Sequence, residues 1–130
     1  MAVEGQIPLT YSLVAGEDLS LHQYKLMQRT AAGRATRMQA MTNFFAGILD
    51  NKPKNLEHAT LSLVGITKGI VGGAVTAGQY LATGATSGFL FVAVSGSTAL
   101  GRAWETVGSG GIATVQLFGG AYHTMTTSNN

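Results

Sequence analysis

The chain has 130 residues, of which 45% are hydrophobic and only 11% are charged. This length suits one domain with a modest core, and the hydrophobic content argues against a disordered chain. The absence of cysteine excludes disulfides and thiolate metal sites, and a formal net charge of only +2 argues against a dedicated nucleic-acid binder. A charged fraction well below the usual value of about 25% favours extensive contact with other proteins.

The charges are unevenly distributed. Residues 21–54 hold six basic residues against one acidic residue, a net of +5, whereas the rest of the chain holds two against five, a net of −3. A run of this kind is most often a solvated face. The alternative is a basic face that meets an acidic partner, with Arg34 and Arg37 as its candidate contacts.

Residues 1–12 are predicted to form an extended N-terminal arm. Ile7, Leu9 and Tyr11 alternate with other residues around Pro8, a pattern typical of a strand docked on this domain or on another chain. The segment has no basic region or continuous apolar run of a signal peptide, and no later stretch is apolar enough for a transmembrane helix. We therefore expect a soluble protein that is made inside the cell.

The next segments read as short strands separated by turns. A turn around Val14–Leu19 precedes a predicted strand at Leu21–Gln28. Arg34–Phe45 contains helix-forming residues at helical spacing, yet we favour strand or irregular structure because its neighbours are short and strand-like. The apolar run Phe44–Leu49 ends at a turn that starts with Asp50.

The middle of the chain, residues 69–101, contains no Asp, Glu, Lys or Arg. Before it, the strand Ala59–Ile70 switches its apolar face near Gly65, which predicts a bulge or a crossing between sheets. A turn then leads into a strand at Gln79–Ala82. Phe89–Val94 is apolar at every position, which predicts burial on both faces, and we expect part of this region at a subunit interface.

Gly101–Val107 and Ile112–Phe118 flank a glycine-rich turn and predict a hairpin. Its core face would carry Ala113, Val115 and Leu117. Trp104 would share the more polar face of its own strand with Arg102 and Thr106, either as an interface anchor or as a cap on the core. Together, these short strands predict an all-β fold, a small β-sandwich or a β-barrel-like domain with glycine-rich turns.

No arrangement of residues indicates catalysis. The three histidines have no metal-ligand spacing, and the chain contains no G-x-S-x-G nucleophile elbow. Glu17 and Asp18 are adjacent, so on a strand they would point to opposite faces. Lys68-Gly69 is not followed by the Ser or Thr of a phosphate-binding loop, and the glycines at 108–111 lack the later glycine and the helix of the dinucleotide fingerprint, so both are better explained as turns.

Five short motifs, most of them turns, resemble in their order those of the capsid cement (decoration) proteins of tailed bacteriophages. They cover residues 14–118 and lie at Ala15–Tyr24, Gly47–Pro53, Val64–Lys68, Ala77–Leu81 and Gly101–Glu105. The resemblance implies a non-enzymatic virion protein on the outer surface of the expanded capsid. Its partners would be the major capsid protein and further copies of itself, as a homotrimer or alternatively a homodimer. It implies no cofactor, no metal, no direct contact with nucleic acid and no membrane.

These expectations divide the chain into an arm (1–12), a β-rich cement domain (13–118) and a C-terminal tail (119–130). Deletion of residues 1–11 is expected to weaken capsid occupancy and to leave the fold intact. The alternative function is a small-ligand or glycan-binding module, with a pocket lined by Phe89, Phe91 and Trp104. The candidate capsid or subunit contacts are Ile7, Leu9, Tyr11, Arg34, Arg37 and Trp104.

Overall fold

The fold is all-β, as predicted. A computed structural model describes residues 9–38, 45–83, 88–95, 98–118 and 123–124. Within these ranges the chain forms strands and no helix. The strands are β1 (Leu9–Ala15), β2 (Leu26–Arg29), β3 (Arg34–Arg37), β4 (Phe45–Leu49), β5 (His58–Ile70), β6 (Tyr80–Thr83), β7 (Leu90–Val92), β8 (Thr98–Ala99), β9 (Gly101–Ala103), β10 (Ile112–Phe118) and β11 (His123–Thr124).

The first five strands close into a barrel. They are hydrogen-bonded in the order β1-β3-β2-β4-β5, and β1 pairs again with β5. β1 runs parallel to β3, and the other pairs in the ring are antiparallel. Fully buried side chains fill the interior, among them Leu19, Met27, Ala35, Leu49 and Leu61.

β5 leaves the barrel halfway along its length and becomes the first strand of a second sheet. Up to Val64 it pairs with β1, and from Val64 to Ile70 it pairs with β10. The register with β1 shifts between Val64 and Ser62, so that Leu63 is an extra residue, and Gly65 has a φ of +101°. A left-handed φ suits glycine and bends the strand at a bulge. The sequence predicted a bulge or a crossing between sheets near Gly65, and the strand shows both: a bulge at Leu63 and a change of sheet at Val64.

The second sheet has the order β5-β10-β9-β6-β7 and packs back onto the outside of the barrel. The larger core cluster joins the two parts. Leu26, Phe45 and Ile48 from β2 and β4 lie in one cluster with Leu81 and Val115 from the second sheet. Burial of each large side chain contributes about 1.5–3 kcal/mol to stability.

The apolar run at residues 45–49 forms β4 and is buried at every position, because its two faces pack against different parts of the protein. Ala46 and Leu49 face the barrel interior, whereas Phe45 and Ile48 face the second sheet. Phe45 and Ile48 are three residues apart instead of two because Gly47 interrupts the alternation at a φ of +133°. Any Cβ at Gly47 would lie 2.7 Å from the Ser62 carbonyl oxygen, so only glycine allows this approach.

The predicted strand Leu21–Gln28 is wrong in its first half. Strand β2 begins only at Leu26, and the preceding residues form turns in which the His22 N–H donates to the Leu19 carbonyl at 3.0 Å. The Asp18 carboxylate accepts hydrogen bonds from the N–H and hydroxyl groups of Ser20. These local bonds compete with a strand ladder.

The prediction that Phe89–Val94 is buried on both faces is also wrong in part. β7 covers only Leu90–Val92 and is the last strand of its sheet. Leu90 is buried, but Val94 is 54% exposed because it follows the end of this edge strand. In the ambiguous segment, Arg34–Arg37 forms β3 and Phe45 begins β4, whereas residues 39–44 lie outside the described residues.

Candidate interaction surface

One face of the second sheet is left uncovered next to the barrel. In β10, Ala113, Val115 and Leu117 point into the core, as predicted, so the residues between them point outward. The antiparallel register places Lys68 beside Thr114 and Ile66 beside Gln116. We call this surface the open face, and its residues are Ile66, Lys68, Trp104, Glu105, Ile112, Thr114 and Gln116.

The open face is unusually apolar for a solvent-facing sheet surface. Trp104 is 53% exposed, Ile112 48% and Ile66 44%, which makes three of the six most exposed large hydrophobic residues in the described ranges. Single exposed apolar side chains are ordinary. Three on one side of one sheet form a patch, and patches of this kind mark contact sites for other molecules.

Trp104 is held in place on this face by two hydrogen bonds. Its indole N–H donates to Oε1 of Gln116 at 3.2 Å, and its backbone N–H donates to the Thr114 carbonyl at 2.9 Å. An aromatic ring positioned before contact loses little side-chain entropy when a partner covers it. Trp104 therefore has the properties of an interface anchor, one of the two roles that the sequence left open.

A cation and an anion lie on opposite sides of Thr114. Lys68 projects from β5, whereas Glu105 follows β9 and its Oε2 accepts the Thr114 backbone N–H at 3.2 Å. This hydrogen bond holds the pKa of Glu105 below its usual value, and the charge of Lys68 adds to the effect. Glu105 is thus ionised at neutral pH. The two charged residues line an open depression of about 450 Å³ together with Tyr24, Ile112 and Thr114.

The far end of the sheet is closed by side-chain packing. The Arg102 guanidinium lies 5.0 Å from the centre of the Tyr80 ring, and its Nε donates to the Gly78 carbonyl at 2.7 Å. Tyr80 and Phe118 have ring centres 6.0 Å apart and cover a small buried alanine cluster. The open face therefore ends where this aromatic pair begins.

The candidate contacts in the predicted arm belong to the barrel where the structure describes them. Leu9 begins β1 and pairs with Val64, and Ile7 lies outside the described residues. The Tyr11 hydroxyl donates to the Ala46 carbonyl across the barrel, and burial raises the pKa of this phenol. Tyr11 thus has a role inside its own domain, and β1 extends across the predicted boundary between residues 12 and 13.

The two candidate arginines differ in their surroundings. Arg34 is exposed at the start of β3. Arg37 is paired: its Nη2 lies 3.2 Å from Oε1 of Glu17. Burial alone would raise the pKa of Glu17, but the hydrogen bonds and the charge of Arg37 outweigh burial and lower it. Tyr11, Arg34 and Arg37 lie in the barrel and Trp104 in the second sheet, so the four are not brought together in one site.

Sequence reasoning missed most of the open face. Of the predicted contacts with described side chains, only Trp104 lies on it. A signal was present in β10: once Ala113, Val115 and Leu117 are assigned to the core, Ile112 must face outward. The position of Ile66 and Lys68 on this face could not be predicted, because the side of the strand on which they lie depends on the bulge at residue 63.

The three aromatic residues expected to line a ligand pocket have different neighbours. The Phe89 ring lies 4.7 Å below Nζ of Lys25, and the Phe91 ring packs against Gly72. Trp104 is bound to Gln116 on the open face. None of the three lines the depression beside Thr114, and buried side chains fill the barrel interior.

Within the residues that the structure describes, no group of three or more His, Cys, Asp or Glu side chains is arranged to hold a metal ion. The same ranges contain no helix of the length and hydropathy needed to cross a membrane.

Comparison with solved structures finds a match over the whole domain. The chain is similar to the crystal structure of the head fiber gp8.5 N base in bacteriophage phi29, with a TM-score of 0.67 and 14% sequence identity. The match covers 95% of this chain and 99% of that chain. No family model and no curated protein matches the sequence. At this identity the likeness shows that the two chains share a fold.

Proposed function

We propose that this protein is a structural component of a bacteriophage virion. It binds the outer surface of the expanded capsid and cements neighbouring capsomers of the major capsid protein. The observation that carries the proposal is the structural match to a phage head fiber base, which covers nearly all of both chains. The resemblance of the turn motifs to cement proteins points to the same class of role by a separate route.

The physical mechanism is a clamp. A protein that binds only the assembled lattice stabilises that lattice by mass action, and many copies per particle add their effects. A closed barrel joined to a packed sheet is a rigid body, so little binding free energy is spent on ordering the chain. This rigidity suits a role in resisting the outward pressure of packaged DNA.

Two surfaces are available for contact. The open face offers an aromatic anchor flanked by charges, and the barrel offers Arg34 at the start of β3. The partners are the major capsid protein and further copies of this chain, as a homotrimer or alternatively a homodimer. The chain uses no cofactor, does not touch nucleic acid or membrane, is not an enzyme, and acts on the virion after synthesis in the host cytoplasm.

Capsid binding tests the proposal directly. Purified protein is mixed with expanded, emptied capsids and with unexpanded procapsids of the phage that encodes it, and bound copies are counted after sedimentation. We expect saturable binding to expanded capsids and weak binding to procapsids. Absence of binding to expanded capsids would refute the proposal.

A second candidate function follows from the same structural match. The solved relative is the base of a head fiber, so this chain is alternatively an attachment base that occupies one capsomer without bridging two. Both roles predict that the protein binds to capsids, but only cementing predicts that the bound protein makes the shell mechanically stronger. Heating decorated and undecorated capsids and measuring the temperature of DNA release separates the two roles.

A further inference from the structure

We infer that the open face is the surface through which two copies of this chain pair, related by a two-fold axis that runs parallel to β10. This inference rests on the self-association included in the proposed function and names the residues that carry it. The argument depends on where the apolar and charged side chains lie relative to β10.

Two sheets that pack face to face keep their strands nearly aligned. A two-fold axis that lies between the sheets and parallel to β10 preserves each residue's level along that strand. It places the β5 side of each copy opposite the β9 side of the other copy. Such an interface is favourable only if the two sides are complementary at each level, because the same patch must bind itself.

At the level of Thr114, the two sides carry opposite charges. Lys68 lies on the β5 side, directly beside Thr114 in the register, and Glu105 lies on the β9 side, bound to the Thr114 N–H. The two-fold operation places Lys68 over Glu105 of the partner subunit, and Glu105 over Lys68 of the partner subunit. Each pair of copies thus gains two matched ion pairs from one patch.

At the level of Gln116, the two sides carry apolar residues. Ile66 is the register partner of Gln116 on the β5 side, and the Trp104 indole is hydrogen-bonded to Gln116 on the β9 side. The same operation places Trp104 over Ile66 of the partner subunit. Arg102 does not intrude, because Gly78 and the Tyr80 ring hold its guanidinium toward β6.

The size of the face sets the strength of the pairing. Three strands at about 4.8 Å spacing give a contact well below the roughly 800 Å² per partner of a standard interface. Free protein should therefore pair weakly, and pairing should depend on concentration. On a capsid, where neighbouring copies are held close together, the same contact becomes significant through high effective concentration.

The experiment is sedimentation velocity of the full chain from about 10 µM to about 1 mM, a range that brackets weak association. We expect a monomer that converts to a dimer as concentration rises. Lys68→Glu and Glu105→Lys should each raise the dissociation constant about tenfold. In a dimer of either variant, both charge pairs across the axis have the same sign and repel. The double variant carrying both changes should restore pairing, because the charges are again opposite.

Two further variants complete the test. Trp104→Ala should weaken pairing more than about tenfold, as expected for a central aromatic anchor. Lys52→Glu makes the same change of charge on the exposed turn after β4 and should leave pairing unchanged. A monomer at all concentrations, a trimer, or a double variant that fails to restore pairing would each overturn the inference. Capsid occupancy is measured separately, so its absence would refute the proposed function while leaving the dimer result standing.

Discussion

Arg37 holds the Glu17 carboxylate at both of its oxygens. Its backbone N–H donates to Oε2 at 2.8 Å, and its side-chain Nη2 lies 3.2 Å from Oε1. These two contacts tie the loop that follows β1 to the end of β3. They lie next to the parallel pairing of β1 with β3 in the barrel. This ion pair is a structural contact within one chain, although its arginine lies in the basic segment of the sequence.

The Glu17–Arg37 pair predicts a pH dependence of stability. The folded-state pKa of Glu17 is lowered, so its contribution is present above the unfolded pKa near 4.5 and is lost as the pH falls through the lower folded-state pKa. We expect Glu17→Gln to lower the free energy of unfolding by about 1 kcal/mol at pH 7, a modest value because both side chains are partly exposed.

Urea denaturation at pH 7 and at pH 3 checks this prediction. The difference between wild type and Glu17→Gln should be smaller at pH 3, because this pH lies below the unfolded-state pKa near 4.5 and part of the stabilisation by the ionised carboxylate is then lost. Glu57→Gln is the control: Glu57 is exposed, and the glutamine amide oxygen can still accept the Lys54 backbone N–H that Oε1 of Glu57 accepts at 2.7 Å, so little change is expected. A difference that is constant with pH would show that Glu17 acts through packing instead of charge.

Gly47 predicts a large loss of stability on a minimal substitution. Gly47→Ala introduces a Cβ 2.7 Å from the Ser62 carbonyl oxygen at a φ of +133°. The strain and the clash should lower the free energy of unfolding by about 2 kcal/mol or more. Gly108→Ala is the matched control, because a Cβ there meets nothing within 4 Å. Thermal unfolding of both variants tests the prediction, and equal melting temperatures would contradict it.

The all-β class and the antiparallel pairing of β9 with β10 could be predicted from the sequence because both depend on local signals, although β9 ends at Ala103 instead of Val107, which pairs with Val75. Alternation in Ile112–Phe118 and the glycine-rich turn determine which residues face the core. The switch at Gly65 was also visible, since apolar residues change sides there. Each of these features is encoded within about ten residues of chain.

The sequence predicted a sandwich or a barrel-like domain but could not decide between them, because closure of the barrel depends on a long-range pairing. β1 pairs in parallel with β3 at Val14 and Ala15 and with β5 along most of its length. No local pattern at residues 9–15 distinguishes such a strand from an arm that docks elsewhere. The open face was missed for the same reason, since its two charged residues come from segments that are 37 positions apart, Lys68 and Glu105.

The structure revises the expected effect of truncating the N-terminus. Residues 9–11 belong to β1 and pair with β5, and the Tyr11 hydroxyl binds the Ala46 carbonyl. Deletion of residues 1–11 should therefore lower stability by several kcal/mol, because it removes barrel ladder bonds and a buried contact. If the truncated protein melts like the full chain, the β1–β5 pairing contributes little.

Reversing the charge of each candidate arginine separates a contact residue from a structural one. Arg34→Glu changes an exposed charge at the first residue of β3, so the free energy of unfolding should change by less than about 0.5 kcal/mol. Arg37→Glu places a second carboxylate beside Glu17 and should lower the free energy of unfolding by about 1–2 kcal/mol. If Arg34 meets acidic residues of the shell, Arg34→Glu should also reduce capsid occupancy and make the remaining binding less sensitive to salt. Occupancy at low and high salt, measured beside the unfolding curves, tests both statements, and wild-type occupancy of Arg34→Glu would show that the basic face is only solvated.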